Sequence, residues 1–165
     1  MLMTDQDKIH YLANILRVAM ADKSLSAREA SAIDEIRKNI DAKKIILTQS
    51  QKAVESGSYS FIKIGSFADQ VRNLEDMLYV ALTDADLSEM ESNLINEFNN
   101  SVGLTREQYE KIHSDILPRC NSSPLEITCP FCSKPTSAQA KFCSSCGKVI
   151  TPSDPGATEI EFDIP

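Results

Sequence analysis

Tryptophan is absent from this sequence, histidine occurs twice and glycine only five times in 165 residues. So few glycines, with few long β-branched runs, argue against a turn-rich β architecture and favour helix. Aromatic residues make up 6% of the chain, so any core has to be built mainly from aliphatic side chains. Positive charge is also in deficit: 17 Lys and Arg face 24 Asp and Glu, a net charge of −7. The deficit persists along the chain, with 14 basic and 19 acidic residues in 1–120 and 3 and 5 in 121–165. That balance argues against a broad nucleic-acid footprint, which needs a cationic face. It suits a cation or a basic partner.

Long apolar runs are missing too. The longest, "MLYVAL", is far too short to cross a bilayer. The start, "MLMTDQDKIH", lacks the basic region and apolar stretch of a secretory signal. These features predict a cytoplasmic protein without membrane insertion, which protein partners could still bring to a membrane. No nucleophile elbow, phosphate loop or dinucleotide fingerprint occurs. His10 and His113 are far apart and lack a cysteine or carboxylate in a ligand pattern, so both are expected to be ordinary helix residues. The expectation is a protein that is not an enzyme and takes no small-molecule substrate.

Cysteine is what the sequence does have in pattern. Cys120 stands apart, read as a free thiol. The rest form Cys129-Pro-Phe-Cys132 and Cys143-Ser-Ser-Cys146-Gly, two C-x-x-C pairs separated by ten residues. Each pair can form a tight knuckle that aims two thiolates at one ion, and four thiolates satisfy the tetrahedral preference of zinc. Gly147 lets the chain turn behind the second pair. A catalytic zinc is not expected, because four cysteines leave no open position. The other readings of the pattern are a redox dithiol or an iron–sulfur site. Phe131 and Phe142, beside the ligands, are expected to form a miniature core, the competing reading being base stacking. Lys134, Lys141 and Lys148 offset the formal −2 of four thiolates and Zn²⁺, or touch phosphate. The stretch "CPFCSKPTSAQAKFCSSCGKVI" resembles the zinc-ribbon family over residues 127–150, and so small a module needs its metal to fold.

Upstream, apolar residues recur at helical spacing. Ile9, Leu12, Ile15, Leu16 and Ala19 share one face, capped by Thr4 with Asp7. Ser26 and Glu29 form a capping box ahead of Ile33, Ile36 and Ile40. A third helix is predicted over 41–56, closed by Gly57, and "SYSFIKIG" as a short helix or turn punctuated by Gly65 and Ser66. Phe67, Val71, Leu74, Leu78 and Ala81 give the clearest stripe. Ser88 with Glu91 precedes Leu94, Ile95 and Phe98; Gly103 ends that helix; Thr105 with Gln108 opens the last, with Tyr109, Ile112 and Ile116.

These segments repeat. With a shift of 62 residues, "LANILRVAMADKSLSAREASAIDEI" lies on "LEDMLYVALTDADLSEMESNLINEF" without a gap. The common element is helix, Asp-x-x-Leu-Ser-x-x-Glu, helix. Each copy is a hairpin that cannot bury its own stripe, and two copies packed face to face can. "VAMADKSLSAREASAIDEI" and "VALTDADLSEMESNLINEF" resemble the signature of the tellurite-resistance TerB family, Ala-x-Ala-Asp-Gly-x-Leu-Ser-x-x-Glu between two helices, over residues 5–117. Lys23 and Ala85 stand where that signature has glycine. The resemblance implies a stress-response protein, in tellurite or other chemical or phage defence, with membrane-linked metal-handling partners.

The second loop, "ALTDADLSEMES", places Asp84, Asp86, Glu89 and Glu91 within eight positions. An EF-hand is excluded, because Glu89 occupies the glycine place and Ile95 the bidentate glutamate place. Two readings remain. Ser88 and Glu91 are a capping box, and acids near a helix start gain from its dipole. Alternatively Asp84, Asp86 and Glu91 hold Ca²⁺ or Mg²⁺ with water. Only Asp22 and Glu29 correspond in the first copy, where capping is the reading. Leu25 and Leu87 are expected to plug the core beneath the loops.

The sequence thus predicts an all-α, TerB-like bundle of two pseudo-repeated helical hairpins over 1–117, a linker over 118–126 ("PRCNSSPLE"), a four-cysteine zinc ribbon over 127–150 and an acidic, disordered tail over 151–165. In the tail Ile160, Phe162 and Ile164 alternate with acids, a strip able to pair with a sheet edge. The function expected is an adaptor whose ribbon docks a protein; the alternative is a nucleic-acid-binding ribbon.

Overall fold

The structure, a computed structural model, describes residues 3–84, 87–121, 126–129, 131–137, 142–143 and 145–149. It divides into two units, Met1–Asn121 and Ser122–Pro165. In the first, α1 spans Asp5–Ala19, α2 Ala27–Asn39 and α3 Lys44–Glu55. Then α4 spans Phe67–Ala81 and runs into a 3-10 turn, Leu82–Asp84; α5 spans Glu89–Val102 and α6 Arg106–Asn121.

The boundaries of these helices repeat with the sequence. The first residues of α4, α5 and α6 are those of α1, α2 and α3 plus 62, and α1 and α4 also end 62 apart. The repeat is therefore wider than the expected hairpin: α3 and α6 belong to it, although their apolar patterns are too different to align. Thr4 with Asp7, Ser26 with Glu29, Ser66 with Asp69, and Ser88 with Glu91 all form reciprocal capping boxes. Thr105 and Gln108 exchange the same pair of bonds, at 2.9 and 3.3 Å. Each box satisfies backbone N–H groups that a helix start leaves without partners. Gly103 takes a left-handed φ of 84° and returns its N–H to the Asn99 carbonyl, ending α5.

Helix α1 packs chiefly on α3 and α4, and α4 also touches α2, α5 and α6. The core is aliphatic at its centre, with Leu12, Ile15, Leu74, Met77, Leu78 and Ile95 fully buried together with Tyr11 and Phe98.

Several expectations shift. Helix α3 starts at Lys44 rather than Asp41, whose φ of 51° is left-handed and cannot begin a helix. Phe67 heads α4 but is 54% exposed, because the first turn projects past the core. Leu87 packs against the core, whereas Leu25 is 40% exposed and plugs nothing. The predicted linker from Pro118 is helical as far as Asn121. Pro118 has no N–H to give to the preceding turn. Side-chain contacts hold the end instead: Ile116 is buried, the Arg119 guanidinium lies 4.6 Å from the Tyr79 ring centre, and Cys120 packs against the core. In the second unit the described residues include two short strands, β1 Glu126–Thr128 and β2 Pro135–Ser137, paired antiparallel with Ile127 opposite Thr136. The tail beyond Val149 lies outside the described residues.

Candidate metal centre

The two C-x-x-C pairs fold as near copies. After Cys129, Ser133 returns its N–H to the Cys129 carbonyl and Lys134 accepts from the Cys129 N–H, both at 2.9 Å. After Cys143, Gly147 and Lys148 do the same for Cys143, both at 2.8 Å. The fifth residue of each knuckle turns left-handed, φ 57° at Ser133 and 69° at Gly147. The sequence advertised that turn only where glycine makes it easy; in the first knuckle a serine bears the strain.

This folding brings the four sulfurs together. All lie within 4.8 Å of one another, the group of three or more metal-donor side chains that converges among the described residues. Cys129 Sγ is 3.8 Å from Cys146 Sγ, and Cys132 Sγ is 3.5 Å from Cys143 Sγ. A zinc tetrahedron with bonds of about 2.3 Å has edges of about 3.8 Å, so the spacing fits that ion. Charge points the same way. The Lys134 backbone N–H favours the Cys132 thiolate, yet burial and the neighbouring sulfurs outweigh it and push the thiol up to about 12. Backbone N–H groups of Cys146 and Ser145 draw Cys143 down to about 6. Four sulfurs this close cannot all ionise unless a cation compensates them.

The expected aromatic core of the ribbon is absent from its described residues. Phe131 is 56% and Phe142 60% exposed, and the buried cluster consists of Cys129 and Cys143 with Cys132 against them. Cys129 and Cys143 are buried, Cys132 is half-buried and Cys146 exposed.

The acidic corner behaves differently. Glu91 is buried and its carboxylate accepts from the Ser88 N–H at 2.9 Å; Glu29 does the same with Ser26 at 2.8 Å. Burial first, then the nearby charges of Asp84 and Glu91, raise the Glu29 carboxyl above its ordinary range, so the capping glutamates of both copies sit within each other's field. Asp22 instead accepts from the Ser24 N–H and hydroxyl, both at 2.9 Å. Asp84 ends the 3-10 turn, and Asp86 lies outside the described residues. Among the described residues these acids form no converging set of three donors for Ca²⁺ or Mg²⁺, and capping accounts for Glu91.

His10 accepts from the Gln6 side-chain amide at 2.7 Å and stacks on Tyr59. His113 leans on Tyr109 and, with Leu87, Ser92 and Glu110, lines an open cavity of about 480 Å³.

A buried polar network escaped the sequence reading. Tyr11 donates to the Asp76 carboxylate at 2.7 Å, and Asn14 donates to the Asn73 side chain at 2.8 Å. Tyr59 and the Ile62 N–H both donate to the Asn14 carbonyl oxygen. Residues 11 and 73, and 14 and 76, are equivalent in the repeat, so the two contacts are related by its pseudo-two-fold. The clue available was polar residues recurring at matched places on two apolar stripes.

Two tandem three-helix repeats, followed by a knuckle pair with converging sulfurs, define a helical domain carrying a four-cysteine metal-binding module. The profile described as "Tellurite resistance protein TerB" matches residues 8–114. The chain belongs to the TerB family. No curated protein and no solved structure matches it at a significant level. No helix among the described residues is long and apolar enough to cross a membrane.

Proposed function

We propose that this chain is a non-enzymatic adaptor of the cytoplasm, acting in the response to tellurite or a related chemical stress. Its acidic helical domain offers a surface to a basic partner, while a structural zinc held by Cys129, Cys132, Cys143 and Cys146 keeps the ribbon folded for protein docking. The observation that carries this reading is the open face of the ribbon: Phe131, Phe142 and Val149 are exposed, while Cys129 and Cys143 are buried with Cys132 against them. Exposed rings on so small a module are costly unless something covers them. A reducing compartment keeps the thiolates available to the metal.

The test has two parts. Metal analysis of the reduced protein should find about one zinc per chain, lost when Cys129 and Cys143 become serine. Affinity capture from cells should retain a protein partner that Phe131→Ser with Phe142→Ser releases. Full zinc occupancy with identical partners for both chains would reject the docking role.

The nucleic-acid reading draws on the same surface, because Lys148 Nζ lies 4.7 Å from the centre of the exposed Phe131 ring. It requires oligonucleotide binding that weakens with salt and is lost on Lys134→Ala with Lys148→Ala.

A further inference from the structure

The four sulfurs of the ribbon converge, but they are not equally sheltered. Each buried sulfur has an accessible one beside it, and that neighbour belongs to the other knuckle. Exposed Cys146 has its Sγ 3.8 Å from the Sγ of buried Cys129, and half-buried Cys132 has its Sγ 3.5 Å from that of buried Cys143. The buried cluster consists of cysteines, and Phe131 and Phe142 lie exposed rather than packed into it. An oxidant therefore meets Cys146, and the open part of Cys132, directly from solvent. A cysteine that holds a metal is a thiolate, the form that attacks an O–O bond. Cys120 offers a contrast within the same chain. It is the one cysteine of the helical unit, so it has no second sulfur there to bridge with. It is half-buried, its Sγ donates to the Tyr79 carbonyl at 3.7 Å, and burial raises its thiol.

We propose that the ribbon is a hydroperoxide-reactive site: Cys146 and Cys132 are oxidised first, and Cys129 and Cys143 resolve them into the disulfides Cys129–Cys146 and Cys132–Cys143. In each pair the accessible thiolate attacks the hydroperoxide, the O–O bond breaks, and a proton leaves with the departing oxygen as an alcohol or water. The sulfur becomes a sulfenic acid. The buried thiolate of the opposite knuckle then attacks that sulfur, forms the S–S bond and expels hydroxide, which takes a second proton. Two electrons leave sulfur and reduce one hydroperoxide per bridge. Two bridges leave no thiolate to hold Zn²⁺, whose oxidation state does not change.

The proposal rests on the zinc and docking roles given above and adds their regulation. Bridges between the knuckles replace the metal as the link joining the two halves of the module. Phe131 and Phe142 directly precede Cys132 and Cys143. Closing that pair from 3.5 Å to the S–S length of about 2.05 Å draws the two ring-bearing positions together and alters the surface offered to a partner.

The experiment treats the reduced, zinc-loaded full chain with hydrogen peroxide, as wild type and as Cys120→Ser, while a colorimetric chelator reports free Zn²⁺. Both chains should lose the four ribbon thiols and release about one zinc for every two peroxides consumed, and a dithiol reductant should restore uptake. Peptide mapping should find Cys129 joined to Cys146 and Cys132 to Cys143 within one chain. Bridges inside each C-x-x-C pair, or between chains, overturn the proposal. So do sulfinic or sulfonic acids formed without bridges, and so does release that requires Cys120. Zinc bound but unmoved by excess peroxide overturns the reaction and leaves the metal reading standing. A chain that takes up no zinc at the outset fails the metal reading, and this reaction with it. Release with the expected bridges, in a chain whose ribbon captures no partner, leaves the reaction standing and rejects the docking role.

Discussion

Asp76 and Asn14 occupy equivalent places, yet one can ionise and the other cannot. Burial raises the Asp76 carboxyl, partly offset by the Tyr11 hydroxyl and by Arg72 and Arg119; Glu35 adds to the rise. A raised folded-state value means the protonated form favours folding, so its stabilisation is complete at acid pH. It is lost as pH climbs from the unfolded value, about 4, through the higher folded one. Asp76→Asn should flatten this dependence and raise Tm at neutral pH, checked by thermal melts across pH. Tyr11→Phe should cost about 1–3 kcal/mol, because the carboxylate loses its buried donor. In the ribbon, Ser133→Gly relieves a left-handed serine and should gain about 1 kcal/mol, roughly five-fold in zinc affinity by competition with a chelator. None of these three sites announced itself in sequence. A Tyr or Asn on an apolar stripe has no visible partner when that partner lies about 60 positions away, and a serine does not reveal its φ.

Helices were the most legible level, because capping boxes and apolar spacing are local signals. Ser26, Ser88 and Thr105 open helices where the pattern placed them, and the glycine at 103 ends one. Ser88→Ala should lower stability by about 0.5–2 kcal/mol in denaturant melts, and Ser26→Ala by a similar amount. Unequal losses would show that the two copies are not equally committed to their caps. The elements that misled did so for tertiary reasons. Pro118 signals a break, but Ile116, Arg119 and Cys120 have partners in the bundle and carry the helix past it. Phe131 and Phe142 carry a core signature, but the buried cluster of the ribbon's described residues is Cys129 and Cys143 with Cys132 against them.

At the scale of the molecule, two units mean two stabilities. Chelating the metal should abolish amide dispersion in residues 126–149 while the helical core retains its melting transition, a pair of outcomes read in one titration by NMR and circular dichroism. Loss of both together would mean that the helices depend on the zinc. The family and both units were readable in advance, since periodic stripes and paired cysteines are patterns of spacing; the faces left open were not, since exposure depends on everything else that packs. The matched start sites of all six helices carry one more implication. Each half presents a complementary surface to a near-replica of itself, so a peptide containing only the first or second trio has a ready mate in its own twin, and the full chain is a covalently joined pair of what could associate as separate molecules.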